Sequence, residues 1–162
     1  MSSFNGKTII ITGAGMGLGL ATAKVVAERG ANVSLVDYNA EALEKAKAEI
    51  KQVAPDAKIL TITADVSNEE AVKNYVEKTV TEFGTIDGFY NNAGIEGRQA
   101  PLIEYDIDVF KKVVDINLMG VYYGLRYIIP VMQKNGGGRI VNVASVGGIR
   151  GVVNQTAYVA TK

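Results

Sequence analysis

Cysteine and histidine are both absent from this 162-residue sequence. Without cysteine there is no disulfide, no thiol nucleophile and no thiolate metal ligand. Without histidine there is no Ser-His-Asp triad, and the commonest metal ligand of proteins is missing. Any acid/base chemistry must therefore depend on tyrosine, lysine or a carboxylate, and no metal site is expected.

An excess of one charge and long apolar runs are missing as well. Lys plus Arg and Asp plus Glu balance at 17 each, so no basic surface indicates nucleic acid as a partner. No apolar run reaches the roughly 18 residues that suggest a membrane span, and the N-terminus has no signal-peptide profile. We therefore expect one domain over residues 1–162, cytoplasmic and without a nucleic-acid or membrane partner.

Short apolar, β-branched runs alternate with segments of helical spacing. The runs predict strands over residues 7–12, 32–37, 58–64, 86–90 and 139–144. The spacing predicts helices over 18–29, 40–52, from a capping box at Ser67–Glu70 to Gly84, over 106–133 and from 157 onward. Pro130 is expected to kink or end the long helix. Repeated strand-helix-strand units predict an α/β fold, a doubly wound parallel sheet of Rossmann type with five strands ordered 3-2-1-4-5.

A glycine-rich loop, Thr12-Gly13-Ala14-Gly15-Met16-Gly17-Leu18-Gly19, joins the first strand to the first helix. There, a helix N-terminus offers backbone N–H groups and a positive dipole end to a pyrophosphate. The spacing is T-G-x-x-x-G-x-G rather than G-x-G-x-x-G, and no P-loop lysine follows the last glycine. The loop predicts a dinucleotide site, with a turn that binds no ligand as the less favoured alternative.

Asp37 ends the second strand, 18 residues after Gly19. A carboxylate at about this distance accepts hydrogen bonds from both hydroxyls of an adenosine ribose. It would repel a 2′-phosphate, and its neighbours Val36 and Tyr38 carry no positive charge, nor does Met16 in the loop. Asp37 therefore favours NAD over NADP, the alternative being a solvent-facing Asp at a turn.

Tyr158 and Lys162 are four residues apart, so both would lie on one face of a helix. The lysine cation stabilises a tyrosine phenolate relative to the phenol, which makes Tyr158 a candidate general acid and base. Ser145 lies thirteen residues before Tyr158. Alone, such a Tyr-Lys pair is most often an ordinary helix surface, but the dinucleotide loop favours the catalytic interpretation.

Over its whole length the sequence resembles the short-chain dehydrogenase/reductase family. The resemblance is carried by the glycine loop, Asp65, Asn91-Asn92-Ala93-Gly94, Asn117, Ser145, and Tyr158 with Lys162. It implies NAD(H)-dependent interconversion of a secondary alcohol and a ketone by hydride transfer. Residues 91–97 and 144–151 resemble the levodione reductase group of this family, which acts on cyclic ketones and alcohols.

The resemblance also implies roles for individual residues. Ser145 would bind the substrate oxygen, Tyr158 would transfer the proton, and Lys162 would assist Tyr158 and bind the nicotinamide ribose. Asn117 would complete the catalytic set by holding a water that links Lys162 to solvent. The cofactor site would comprise Gly13, Met16, Gly17, Leu18, Gly19, Asp37, Tyr38, Asp65, Val66, Asn92, Ala93, Gly94, Tyr158 and Lys162.

The family has further strands and a substrate-covering loop after the position of Lys162. The resemblance therefore implies that the 162 residues are a C-terminally incomplete domain and inactive alone. It also implies a homo-oligomer, a tetramer or dimer paired through the long helix and the helix near Ala157, acting on a small alcohol or ketone. A nucleotide-binding fragment or scaffold protein without turnover is the alternative.

Overall fold

A five-stranded parallel sheet forms the centre of the computed structural model, which describes residues 3–162. The strands β1 to β5 are Thr8–Thr12, Asn32–Asp37, Ile59–Thr63, Gly88–Asn91 and Arg139–Asn142. Their order in the sheet is β3-β2-β1-β4-β5, and every neighbouring pair is parallel. The predicted fold class and strand order are confirmed.

Within residues 3–162, six α-helices connect and cover the strands. The helices α1 to α6 are Gly17–Glu28, Ala40–Val53, Glu69–Phe83, Ile107–Val114, Gly120–Lys134 and Thr156–Thr161. Short 3₁₀ turns occur at Leu102–Glu104 and Val146–Gly148. Within residues 3–162, no helix combines the length and the apolar composition that crossing a membrane requires.

The central strand β1 is buried along its entire length. Ile9 and Ile11 pack with residues of α1 and α2 on one face of the sheet. Ile10 points to the other face, where it packs with residues of α3 and α5. Helices on both faces explain why β1 is a continuous apolar run rather than an alternating pattern.

The predicted capping box at Ser67–Glu70 is wrong by one residue. Asn68 is the N-cap of α3, and its Oδ1 accepts a hydrogen bond from Ala71 N at 3.0 Å. The carboxylate of Asp65 instead accepts from both Ser67 donors, the backbone N at 2.9 Å and Oγ at 2.7 Å. Because Asn caps a helix as well as Ser does, the helix begins after Asn68 and Ser67 stays in the preceding turn.

The long helical segment predicted over residues 106–133 is interrupted by a π turn. Asp115–Met119 is π-helical between α4 and α5, and it contains the buried Asn117. Pro130 does not end the helix, because α5 continues to Lys134. The proline removes only one backbone hydrogen-bond donor from the helix. Met132 in the following turn is buried in the core, and this packing favours continuation of the helix.

Candidate active site

The strand order reverses between β1 and β4, so the segments that follow these two strands form a crevice at the carboxyl edge of the sheet. Asn92 joins the two segments. Its Nδ2 donates to Thr12 O at 2.9 Å, while Thr12 Oγ1 accepts from Asn92 N at 3.0 Å and from Ala93 N at 3.1 Å. Thr12 therefore anchors the loop after β4, a role that its place in the glycine motif alone does not reveal.

The glycine loop depends on close packing as well as on backbone freedom. A Cβ on Gly13 would lie 2.9 Å from Asn92 Nδ2, and Gly13 also has a left-handed φ of +65°. A Cβ on Gly19 would overlap the carbonyl oxygen of Gly13. Gly17 has open space around it, but its φ of +56° is one that L side chains rarely adopt. Each of the three predicted glycines thus has a physical requirement.

The N-terminus of α1 suits an anion. Helix α1 begins after Met16, and none of the described side chains caps it. The N–H groups of a first helical turn have no partner inside the helix, and the helix dipole adds positive charge there. The side chains of Met16 and Leu18 are exposed beside this turn. The donor set therefore fits the pyrophosphate of a dinucleotide.

Asp37 lies at the same edge of the sheet, at the end of β2, and only 9% of it is exposed. Its Oδ2 accepts from Gly15 N at 2.9 Å, and its Oδ1 accepts from Asn39 N at 3.1 Å. Each carboxylate oxygen can accept a further hydrogen bond, so ribose hydroxyls fit as additional donors. Asp37 thus also holds the glycine loop, and the exposed Tyr38 follows it.

The two residues predicted to border an adenine ring follow β3 at the same edge. The Asp65 carboxylate is bound to Ser67, as described for the start of α3. Val66 is buried, and a Cβ on Gly120 would lie 2.9 Å from its Cγ2. Val66 is therefore packed against the start of α5, while the neighbouring Asp65 is exposed.

Asn117 connects three segments through its side chain. Its Oδ1 accepts from Ile95 N at 2.8 Å, and its Nδ2 donates to Ile95 O at 2.9 Å and to Thr161 Oγ1 at 3.1 Å. Thr161 Oγ1 in turn donates to Tyr158 O at 2.9 Å. Both amide hydrogens of Asn117 are committed to the protein, so a water held at this residue must be bound through an acceptor oxygen.

Lys162 and Tyr158 come together at the end of α6. The Lys162 Nζ lies 5.7 Å from the centre of the Tyr158 ring and donates to Val143 O at 3.1 Å. Burial lowers the pKa of Lys162 from its ordinary value, because the protein solvates an ammonium less well than water does. A Cβ on Gly94 would lie 3.5 Å from Lys162 Nζ and 3.2 Å from Asn117 Oδ1, so these two polar groups face the same glycine.

Ser145 approaches Tyr158 from the segment that follows β5. It is the N-cap of the turn Val146–Gly148, and its Oγ accepts from Gly147 N at 3.1 Å. A Cβ on Gly147 would lie 3.6 Å from Ser145 Oγ and 3.7 Å from Tyr158 Cδ1. The buried Gly147 is therefore close to both the serine hydroxyl and the tyrosine ring. In the sequence, Gly147 is only one of two adjacent glycines shortly after Ser145, and such pairs are too common to predict that it packs near Ser145 and Tyr158.

The structure thus gathers the four predicted catalytic residues beside the crevice between β1 and β4. The family model described as short chain dehydrogenase matches residues 7–162. The chain belongs to the short chain dehydrogenase family. Among residues 3–162, no group of three or more potential metal-ligating side chains occurs.

Named relatives of this chain in the family include a levodione reductase and a cyclohexanol dehydrogenase. The levodione reductase of Leifsonia aquatica is 52% identical over 159 residues, which are 98% of this chain and 60% of that protein. The cyclohexanol dehydrogenase of Acinetobacter sp. (strain SE19) is 40% identical over 161 residues, 99% of this chain and 63% of that protein. The similarity to levodione reductase predicted from residues 91–97 and 144–151 is confirmed.

A solved structure shows the same fold. The crystal structure of NAD+-bound xylitol dehydrogenase matches with a TM-score of 0.95 at 42% identity, over 99% of this chain and 61% of that chain. The chain therefore spans about 60% of the length of the relatives that it matches.

Proposed function

We propose that this chain is the cofactor-binding and catalytic part of an NAD-dependent oxidoreductase that interconverts a secondary alcohol and a ketone. One observation carries the proposal: Ser145, Tyr158 and Lys162 come together beside the crevice between β1 and β4. Gly147 N donates to Ser145 Oγ at 3.1 Å, and a Cβ on Gly147 would lie 3.7 Å from Tyr158 Cδ1. Lys162 Nζ lies 5.7 Å from the centre of the Tyr158 ring. A hydroxyl, a phenol and an ammonium placed close together can stabilise charge on a carbonyl oxygen and transfer a proton to it without a metal.

The proposed chemistry assigns one task to each of these side chains. A nicotinamide cofactor, when bound, would supply the hydride donor for carbonyl reduction and the hydride acceptor for alcohol oxidation. In reduction, negative charge develops on the substrate oxygen, and Ser145 Oγ and Tyr158 Oη stabilise it by hydrogen bonds. Tyr158 then donates its proton to that oxygen. In oxidation, the Tyr158 phenolate accepts the hydroxyl proton of the alcohol.

Lys162 and Asn117 support the proton transfer. The Lys162 ammonium lies 5.7 Å from the centre of the Tyr158 ring, and its positive charge would attract the negative charge that the reaction develops beside Tyr158. One of its three hydrogens is donated to Val143 O, which leaves two for the nicotinamide ribose and for a water. A water bound through an acceptor oxygen of Asn117 would link Lys162 to solvent.

NAD is the proposed cofactor, rather than NADP. The glycine loop and the start of α1 would bind the pyrophosphate, and Asp37 would accept hydrogen bonds from the adenosine ribose. Because Asp37 is almost fully buried, its charge is poorly screened and would repel a 2′-phosphate. Asp65, Val66 and Tyr38 would border the adenine, while Asn92, Ala93 and Gly94 would line the centre of the crevice.

A cyclic ketone or alcohol is the proposed substrate. The levodione reductase and the cyclohexanol dehydrogenase are named for such compounds. The segment between Ser145 and Tyr158 exposes apolar side chains, among them Val146, Ile149 and Val153, which suit an apolar ring. We further propose a cytoplasmic homo-oligomer, a dimer or tetramer, paired through the apolar residues that α5 exposes, such as Tyr122 and Ile129.

The 162 residues taken alone support a second candidate function, nucleotide binding without turnover. This second candidate is favoured because the chain spans only 60% of the length of the levodione reductase that it matches. The glycine loop, Asp37 and the α1 N-terminus are all present within this part.

Turnover tests the proposal directly. NADH absorbance would be followed with cyclic and acyclic ketones, for the 162-residue chain and for the chain with its natural C-terminal continuation. We expect turnover from the extended form, and a loss of at least about 100-fold in kcat on Tyr158→Phe with NADH binding retained. The control is Tyr127→Phe, which removes a phenol remote from the site. NADH binding without turnover of any substrate by the extended form would contradict the oxidoreductase function.

A further inference from the structure

The segment of residues 95–101, which follows β4 and the central crevice, is tied to three other parts of the fold. At its beginning, Ile95 N and O are both bound to the side chain of Asn117. In its middle, Arg98 N donates to Tyr105 Oη at 3.1 Å. At its end, Ala100 N donates to Asn154 O at 3.0 Å, and Ala100 is buried. The segment is therefore held at intervals rather than being a free loop.

Asn154 has an unusual backbone conformation. It is the one non-glycine residue among residues 3–162 with a positive φ, +63°. The left-handed region is disfavoured for L-residues, although Asn tolerates it better than most. Because the direction of a carbonyl follows from the backbone dihedrals, this conformation places Asn154 O where Ala100 N donates to it.

The two ends of residues 95–101 lie next to the two ends of the catalytic helix. Ile95 is bound to Asn117, which also binds Thr161 beside Lys162. Ala100 is bound to Asn154, which lies two residues before the start of α6. The segment therefore connects the two ends of α6, the helix that carries Tyr158, while Gly97 in its middle faces Val109 and Val113 of α4.

We propose that Asn154 is a positioning residue for the substrate. Its left-handed conformation holds Ala100, and so fixes residues 95–101 as a wall of the substrate site beside Tyr158. This role rests on the oxidoreductase function proposed above. The proposal predicts that the position of residues 95–101 depends on the left-handed backbone of residue 154 and not on its amide side chain, because Ala100 N donates to the backbone carbonyl of Asn154.

Two substitutions separate conformation from side chain, both made in the chain with its natural C-terminal continuation. Asn154→Ala disfavours the left-handed conformation, whereas Asn154→Gly permits it without the amide. Hydrogen exchange at the Ala100 amide should be at least about fivefold faster in Asn154→Ala, the factor that corresponds to the cost of a left-handed alanine. In Asn154→Gly it should stay within about twofold of the wild type.

Kinetics test the consequence for the substrate. In Asn154→Ala we expect KM for the ketone to rise by about fivefold or more, matching the exchange, with KM for NADH unchanged because the glycine loop does not contact Asn154. Asn154→Gly should restore KM for the ketone. Unchanged Ala100 exchange in Asn154→Ala, or equal damage in both variants, would overturn the proposal. Unchanged KM for the ketone, with normal wild-type turnover, would overturn the substrate role alone. Absence of wild-type turnover would contradict the oxidoreductase function itself.

Discussion

Replacing Gly19 with alanine tests how the dinucleotide loop is built. Gly19 is buried in the first turn of α1, directly against the carbonyl group of Gly13. An added Cβ would overlap that oxygen and lie 2.8 Å from the Gly13 carbonyl carbon and 3.0 Å from Asn92 Nδ2. The obstacle is backbone, and Asn92 already holds it by donating to Thr12 O at 2.9 Å. Neither group can move without breaking contacts of the loop.

The expected change in the free energy of unfolding on Gly19→Ala combines one stabilising and two destabilising contributions. In a helix, alanine is more favourable than glycine by about 1 kcal/mol. Overpacking against a rigid neighbour costs about 1–3 kcal/mol or more, and losing the bond between Asn92 and the loop costs about 1 kcal/mol further. Gly19→Ala should therefore lower the free energy of unfolding by about 2 kcal/mol. For a protein of this size, that corresponds to a Tm lower by about 4–8 °C.

Urea unfolding and an NADH titration would measure the two consequences. The free energy of unfolding should fall with the m-value unchanged. NADH affinity should fall by at least about tenfold, since the displaced helix N-terminus no longer matches the pyrophosphate. The control is Gly151→Ala, where no heavy atom lies within 4 Å of the added Cβ and about 0.5 kcal/mol or less is expected. If Gly19→Ala equalled this control in both stability and NADH affinity, the packing argument would be wrong.

Two further substitutions test other parts of the molecule. Tyr75→Phe should leave stability unchanged or raise it by about 1 kcal/mol, because the buried Tyr75 hydroxyl has no hydrogen-bond partner among the described residues. The matched control is Tyr127→Phe, which removes the 2.7 Å hydrogen bond from Tyr127 Oη to Glu69 and should lower the free energy of unfolding by about 0.5–1.5 kcal/mol. If urea unfolding showed that Tyr75→Phe lowers the free energy of unfolding by more than about 1 kcal/mol, the Tyr75 hydroxyl would have a hydrogen-bond partner after all. Asp37→Ala should lower the preference for NAD, measured as kcat/KM with NAD divided by kcat/KM with NADP, by about tenfold or more, because one negative charge is removed from the ribose site. An unchanged preference would refute the proposed role of Asp37.

Local patterns were sufficient for the elements and for much of the site. Burial on both faces makes a parallel strand apolar throughout, so β1 could be recognised from residues 8–12 alone. Gly13, Gly17 and Gly19 could be recognised because a close approach or a left-handed φ excludes other residues at those positions. The four-residue spacing of Tyr158 and Lys162 is enough to bring them together on one helix.

Local patterns did not predict the exact start of α3 or the continuation of α5 past Pro130. Ser67 and Asn68 are both good N-caps, and the choice between them depends on Asp65, whose carboxylate binds Ser67. Pro130 was expected to kink or end its helix; it does not end it, since the helix continues to Lys134 and Met132 beyond the proline is buried in the core. Propensity alone does not decide such cases, since tertiary packing outweighs it.

The sequence by itself determined the order of strands and helices along the chain, the glycine loop and the pairing of Tyr158 with Lys162, because each depends on neighbours within a few positions. Asn117 and Ser145 became candidates only through the family resemblance. Only the tertiary structure decided how those parts are held: Asp37 to Gly15, Asn117 to Ile95 and Thr161, and Ala100 to Asn154. These bonds join residues 22 to 54 positions apart in the chain. A hydrogen bond depends on distance and direction between two groups, and for groups so far apart in the chain only the folded sheet and its helices set both.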